Sequence, residues 1–143
     1  MYLKDLKDNE IPERLKVGYY FDFKSHSFEH INLFKRANNV VSVVYEIGKY
    51  AKDWLKKTID TKIAEKHASK ISGYNGNFEV YCEENVVFNP ANIVCNNKDS
   101  VYRLYIEKGA LVNGANIYLD KGDIYIGADT VIEMDADMSH DPK

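Results

Sequence analysis

The chain has 143 residues and a mass of 16.5 kDa, which suits one domain or two small ones and excludes a large multidomain enzyme. Hydrophobic residues make up 45% of the sequence and charged residues 29%, so the chain can bury a core and is not a disordered tail. Its net charge of -3 is too small to favour nucleic acid or an anionic membrane surface as a partner.

The charge is divided unevenly along the chain. Residues 1–70 carry 14 Lys and Arg against 10 Asp and Glu, whereas residues 71–143 carry 5 against 12. This shift predicts two structural regions, a helical one over 1–70 and a second one over 71–143. No apolar run is long enough to cross a bilayer, and the N-terminus lacks the apolar stretch of a signal peptide, which predicts a cytoplasmic protein.

The first predicted elements are short. The segment Val17–Phe23 is too aromatic for a free loop and is interpreted as a short strand or an extended arm that packs on the helices. A helix is predicted from Ser27, a good N-cap residue, to Arg36. Its apolar residues Phe28, Ile31 and Leu33 or Phe34 would face inward.

A long amphipathic helix is predicted between Asn39 and His67. Its apolar residues recur at steps of three and four, which forms one stripe that must be buried against the rest of the chain or against a second copy. Because β-branched valines weaken a helix, the start could be as late as Ser42 or Val44. The apolar stripe comprises Val40, Val44, Ile47, Ala51, Trp54, Leu55, Ile59 and Ile63, and the opposite polar face comprises Lys49, Lys52, Asp53, Lys56, Lys57, Asp60 and Lys62.

Histidine and cysteine residues give weak signals for a metal site. His26 and His30 lie four residues apart and could share a helix face, but no third ligand stands at a suitable spacing, so no metal site is predicted. Cys82 and Cys95 also lack the spacing of metal ligands and are interpreted as reduced structural thiols.

From residue 81 the sequence repeats at a step of six residues, which neither an amphipathic helix nor an alternating strand produces. The first position of each unit is bulky and apolar: Tyr81, Val87, Ile93, Ile106, Val112, Tyr118, Ile126, Ile132 and Met138. The fifth position is small or prone to turn: Asn85, Ala91, Ala110, Asn116, Thr130 and Ala136. The alternative interpretation is an ordinary antiparallel sheet of short strands joined by Gly and Asn turns.

A triangular coil of short parallel strands explains this step. Each side would hold about six residues, with the first side chain stacked on its equivalent one coil along, roughly 4.8 Å away. The fifth residue would turn the corner, where a small side chain or a left-handed backbone is preferred. The repeat lapses twice, after Ile93 and after Tyr118, and both interruptions are placed as loops that leave a corner.

The repeat resembles the left-handed β-helix of hexapeptide-repeat proteins. The segment Ile117–Glu133 is similar to the repeat region of bacterial sugar nucleotidyltransferase/acyltransferase proteins, of the UDP-N-acetylglucosamine diphosphorylase or glucosamine-1-phosphate acetyltransferase type. Their Gly-Pro-Ile-Tyr-Ile-Gly phrase corresponds to Gly122–Gly127 here, with Asp123 in place of proline. The resemblance covers about residues 80 to 138. It implies an α+β fold, with an N-terminal helical region followed by a short left-handed parallel β-helix of about three coils over 71–143.

The resemblance implies a domain related to nucleotide-sugar enzymes or acyltransferases that acts on or binds a sugar phosphate or nucleotide sugar, with acetyl-CoA as a cofactor. Trimers are usual in such proteins, and self-association as a trimer or a dimer is expected. The glycine-rich phosphate loop of the nucleotidyltransferases is missing, since Gly18 and Gly48 stand alone. His140 is the one weak candidate for a catalytic base. The alternative function is a non-catalytic oligomerisation or protein-interaction module built on a short β-helix.

Overall fold

The computed structural model describes residues 2–133 and has an α+β fold with one long helix and parallel and mixed sheets, which confirms the predicted class. Three short 3₁₀ turns, Leu3–Asp5, Asp8–Glu10 and Glu13–Leu15, precede helices α1 (Val17–Tyr20), α2 (Ile31–Arg36) and α3 (Val40–Ala64). The strands are β1 (Ser69–Ile71), β2 (Phe78–Cys82), β3 (Val87–Asn89), β4 (Asn92–Val94), β5 (Tyr102–Ile106), β6 (Leu111–Asn113), β7 (Asn116–Tyr118), β8 (Ile124–Ile126) and β9 (Val131–Glu133). Within residues 2–133 no helix is both long and apolar enough to span a membrane.

Residue contacts divide the chain into two compact units, Met1–Trp54 and Leu55–Lys143, with the division inside α3. The first unit has a small apolar core formed by Val17, Leu33, Ala37 and Val43. Phe23 and Phe34 pack against this core, and Phe21 joins them in an aromatic cluster.

The start of the first unit differs from the prediction. Val17–Tyr20 forms one helical turn instead of a strand, because the Phe21 N–H bonds back to the Val17 carbonyl and no strand lies beside it within the described residues. Helix α2 begins at Ile31 rather than Ser27. A turn bond from the Ile31 N–H to the Phe28 carbonyl occupies the segment where the first helical turn was expected.

Helix α3 begins at Val40, at the early end of the predicted range. The Asn39 side chain accepts a hydrogen bond from the Ser42 N–H at 2.9 Å and so satisfies one of the free donors of the first turn, which offsets the poor helix propensity of the valines. The apolar stripe is only partly covered. Ile59 is fully buried, whereas Val44 and Ile47 are 70% and 52% exposed.

The second unit contains three sheets that the chain visits in rotation. The first sheet has the order β1-β2-β5-β8, the second β3-β6-β9 and the third β4-β7. All neighbours are parallel except β1, which pairs antiparallel with β2. One hydrophobic core joins all three sheets, formed by Phe78, Val80, Cys82, Leu104, Ile106, Ala110, Val112, Ala115, Ile117, Leu119 and Ile126. The alternative of an ordinary antiparallel sheet is therefore wrong.

Of the corners predicted between the first and second sheets, one is correct, whereas Ala110 and Thr130 each lie one residue after the residue that has the left-handed backbone. Asn85, Gly109 and Asp129 all have a left-handed backbone, with φ of 57°, 73° and 56°, and they occupy equivalent places between the first and second sheets. Asn85 was predicted at such a corner. Asparagine, glycine and aspartate are the residues that tolerate this conformation best.

The predicted inward positions are correct for some units and displaced by one residue in others. Ile106, Val112 and Ile126 are buried in the core as predicted. Tyr81, Val87 and Tyr118 do not point inward, and their neighbours Cys82, Phe88 and Ile117 pack in the core instead. Side chains alternate along a strand, so a displacement of one residue moves each side chain to the opposite face. Tyr118 is 63% exposed.

Candidate functional site

The segment that carries the resemblance is hydrogen-bonded to the segments around the neighbouring parallel strands. The Asp120 side chain accepts a hydrogen bond from the Asn96 N–H at 2.7 Å. The Asp123 side chain accepts two from Arg103, one from its backbone N–H and one from its guanidinium, both at 2.8 Å. Arg103 also forms an ion pair with Asp60 of α3. Asp123, which replaces the proline of the family phrase, therefore has a structural partner.

A ladder of three tyrosines covers the outer face of the first sheet. Tyr81, Tyr105 and Tyr125 are equivalent residues on β2, β5 and β8. The rings of Tyr81 and Tyr105 stack with centroids 6.5 Å apart, and those of Tyr105 and Tyr125 stack at 5.6 Å with an interplanar angle of 5°. Tyr105 is completely buried. This face of the sheet is therefore covered rather than open to water.

Two glutamates continue the same pattern just beyond the strands. Glu83 accepts hydrogen bonds from the Tyr105 hydroxyl at 2.7 Å and from the Lys108 N–H at 3.1 Å. Glu107 accepts hydrogen bonds from the Tyr125 hydroxyl and from the Ala128 N–H, the latter at 2.9 Å. Each glutamate thus binds a phenol of the next strand in the first sheet and a backbone N–H of the turn that follows that strand.

Lys62, in the last turns of α3, bridges the two glutamates. Its Nζ lies 2.6 Å from Glu107 Oε1 and 3.5 Å from Glu83 Oε1. The side chain of Glu83 is 8% exposed and that of Glu107 is 18% exposed, so the two carboxylates are largely removed from water. One cation between two stacked carboxylates relieves the repulsion that like charges on neighbouring strands would otherwise produce.

The electrostatics of this cluster stabilise its resting protonation states. Burial and hydrogen bonding raise the pKa of Tyr105 and of Tyr125, and they raise the pKa of Tyr81 to about 12. Burial alone would raise the pKa of Glu107, but hydrogen bonds from Lys62, from Tyr125 and from a backbone N–H lower it overall. The hydrogen bond to Glu107 raises the pKa of Lys62. The phenols stay neutral and the carboxylate and ammonium stay charged near neutral pH, which is unsuited to general acid–base catalysis.

A cavity of about 430 Å³ lies beside this cluster in the second unit. It is lined by the bridging Lys62 and its two glutamates, by residues just after the end of α3 and by residues of the turns that follow β2, β5 and β8: Lys62, Lys66, His67, Glu83, Glu84, Glu107, Lys108 and Ala128. The volume is within the range of small-molecule sites, roughly 300–1,000 Å³. Its lining is charged rather than apolar.

No known protein family, curated protein or solved structure matches this chain. The function of the site is therefore inferred from its own residues.

The predicted site residues are not brought together. His140, the candidate base, lies outside the described residues. His30 bonds to the Tyr50 hydroxyl at 3.2 Å and packs edge-on against Trp54, whereas His26 is exposed. No group of three or more His, Cys, Asp or Glu within residues 2–133 could hold a metal ion. Burial raises the pKa of the Cys82 thiol to about 11, so this cysteine is a poor nucleophile at neutral pH.

The Lys62 cluster was missed from the sequence, although a signal for it exists. Tyr81-Cys-Glu83 and Tyr105-Ile-Glu107 share a Tyr-x-Glu pattern, and Tyr125-Ile-Gly127 keeps its first residue. Aligning these triplets gives the register that the strands adopt. The repeat of six residues conceals this register, because bulk alone predicts that Tyr81 points inward.

Proposed function

We propose that this chain is a short left-handed parallel β-helix that works as a non-catalytic self-association module. The rotation of the chain through three parallel sheets around one core supports the β-helix, and the hexapeptide resemblance supports its left-handed sense. The second copy of the chain would pack on the outer face of the second sheet, the surface formed by the outward residues of β3, β6 and β9.

The observation that carries this proposal is an exposed aliphatic row on the second sheet. Val87, Leu111 and Val131 are paired neighbours in the three strands. Val87 is 54% exposed and Val131 is 66% exposed. Parallel sheets in proteins are almost always covered on both faces. Tyrosines fill the outer face of the first sheet, whereas on this face the two outer valines are exposed and Leu111 between them is half-buried, which makes the row a natural contact for a partner.

The charges on this face favour a second copy of the chain as that partner. Beside the aliphatic row runs a polar row of Asn89, Asn113 and Glu133, in which the Asn89 amide donates a hydrogen bond to Asn113 at 3.0 Å. Glu133 carries the single charge among these outward residues. A face that meets its own copy cannot hold many like charges, because such pairs repel at close range. An aliphatic and asparagine surface satisfies this condition.

The test replaces one valine of the row and a matched valine elsewhere. Val87→Lys places an ammonium group in the proposed contact, whereas Val101→Lys changes a loop valine that has the same 54% exposure. Light scattering on the full chain should show an oligomer for the wild type and for Val101→Lys, and a monomer for Val87→Lys. An oligomer that survives Val87→Lys would show that this face is not the contact. Circular dichroism confirms that both variants are folded.

The transferase-related function remains a prediction. Calorimetric titration of the full chain with acetyl-CoA and with a UDP-sugar tests it directly. Heat of binding from either compound would support an enzyme-related role. No binding of either, together with a stable oligomer, would favour the self-association module.

A further inference from the structure

Lys66 lies two residues after the end of helix α3 and has an unusual backbone conformation. Its φ is 58°, in the left-handed region, and its N–H bonds to the Ile63 carbonyl at 3.1 Å. Glycine or asparagine normally takes this position at a helix end, because a side chain with Cβ is strained there. Strained residues of this kind concentrate at functional sites. Lys66 also lines the cavity beside the Lys62 cluster, so the strained backbone lies at a candidate binding site.

The charges around the cavity are not all paired. Lys62 is bound to Glu83 and Glu107, and His67 pairs with Glu65 outside the cavity lining. Within residues 2–133, neither the Lys66 nor the Lys108 ammonium group has an ion-pair partner.

The carboxylates of the cavity differ in the number of hydrogen-bond and ion-pair partners that they have. Both Glu83 and Glu107 are already saturated by a lysine, a tyrosine hydroxyl and a backbone N–H. The Glu84 carboxylate, by contrast, has no hydrogen bond or ion pair among the described residues. The cavity therefore offers two available cations and one available hydrogen-bond acceptor.

We propose that this cavity binds a phosphate group, with Lys66 and Lys108 holding its oxygens and Glu84 accepting a hydrogen bond from its protonated oxygen. Ammonium groups are strong donors to phosphate oxygens. Phosphate carries a proton at neutral pH, which a carboxylate can accept, whereas sulfate carries none and would meet Glu84 as a like charge. The site should therefore select phosphate over sulfate.

The binding experiment uses the full chain and inorganic phosphate, with sodium sulfate at equal ionic strength as the competitor anion. Amide NMR spectra should show phosphate-dependent shifts at residues 66, 84, 108 and 128, and no comparable shifts in the loop at 96–99. Sulfate should bind at least about tenfold more weakly, since its contact with Glu84 is repulsive. Equal binding of the two anions, or shifts spread evenly over the surface lysines, would overturn the proposal.

Lys66→Gly separates a binding role from a structural one. Glycine removes the ammonium group and also relieves the left-handed strain, so the thermal midpoint should stay the same or rise. Phosphate affinity should fall at least about tenfold, as expected for losing one charge-assisted contact. Lys98→Gly, in the other charged loop, should leave the affinity unchanged. Wild-type affinity in Lys66→Gly would overturn the proposal, as would an equal loss in Lys98→Gly.

Glu84→Gln tests the origin of the selectivity. The amide keeps the shape of the side chain but removes its charge, so sulfate should gain affinity relative to phosphate. An unchanged ratio of the two affinities would overturn the role of Glu84. None of these measurements depends on the oligomeric state, so they remain interpretable if the self-association proposal fails.

Discussion

At the scale of single residues, two glycines have opposite environments. Gly109 has φ of 73°, and a Cβ at this position would overlap the Oδ1 atom of Asp129, which lies in the turn after β8. Gly48 lies inside helix α3, and a Cβ there would meet no atom within 4 Å. The first glycine suits both the left-handed backbone and the close approach of Asp129, whereas the second only weakens a helix.

The same substitution should therefore change stability in opposite directions. Gly109→Ala should lower the free energy of unfolding by about 1–3 kcal/mol, because the left-handed backbone becomes strained and the Asp129 carboxylate must move. Gly48→Ala should raise it by about 0.5–1 kcal/mol through better helix propensity. Urea denaturation followed by circular dichroism measures both. A neutral Gly109→Ala would mean that the corner does not have this geometry.

The Lys62 bridge provides a second test at this scale. Lys62→Met keeps the length of the side chain but leaves Glu83 and Glu107 facing each other without a cation. The free energy of unfolding at pH 7 should fall by about 2–4 kcal/mol, the usual cost of breaking a largely buried pair. The matched control is Lys70→Met, which removes an exposed ion pair with Glu79 and should cost less than about 1 kcal/mol.

The difference in the free energy of unfolding between wild type and Lys62→Met should depend on pH, in a way that follows from the direction of the pKa shifts. The pKa of Glu107 is lowered from 4.5, so its stabilising contribution is present above that pH and is lost as the pH falls through the native value. The pKa of Lys62 is raised from 10.5, so its contribution persists to alkaline pH. The gap between wild type and Lys62→Met should therefore be constant from about pH 6 to 9 and shrink towards about pH 4. A gap independent of pH would exclude an electrostatic origin.

At the scale of secondary-structure elements, the step of six residues predicted the three sheets but not the full register. The six-residue period is the same whether counting starts at the inward residue of a strand or at its neighbour, so the period alone does not show which of the two points inward. Bulk alone predicts that Tyr81 points inward, yet the tyrosine hydroxyl needs a hydrogen-bond partner and finds it in Glu79 on the outside. The small Cys82 fits the core. Hydrophobic size alone could not make this distinction.

The candidate site was less predictable than the fold. Lys62 belongs to the polar face of a helix, where the sequence suggests contact with water, and its pairing with Glu83 and Glu107 depends on contacts 21 and 45 residues away. Helical periodicity describes only one element at a time and cannot supply such distant partners. The Tyr-x-Glu repeat identifies the glutamates, but the lysine becomes visible only in the folded second unit.

The tyrosine ladder predicts a loss of stability in alkali. The pKa values of Tyr81, Tyr105 and Tyr125 are raised above the ordinary 10.0, so the stability they contribute is present below pH 10 and declines as the pH rises further. Each buried phenol adds about 1.4 kcal/mol per pH unit to that decline. Denaturation curves between about pH 10 and 12 should fall less steeply for Tyr105→Phe than for the wild type, by this amount per pH unit. Equal slopes would mean that Tyr105 ionises in the native state.

At the scale of the whole molecule, the described surface is asymmetric. The first sheet of the second unit has tyrosines and Lys62 on its outer side, while the second sheet presents Val87 and Val131 to solvent. Isolated exposed valines are ordinary on protein surfaces, but here two exposed valines flank the half-buried Leu111 on three paired strands and form one continuous apolar row. This difference between two sheets of the same unit is the basis for proposing self-association.

The most direct test is sedimentation equilibrium of the wild-type chain over a range of concentrations. The mass of a single chain is 16.5 kDa. Self-association predicts a mass that converges on a fixed multiple of this value, two for a dimer or three for a trimer, as the concentration rises. A mass of one chain at every concentration would contradict the proposed function.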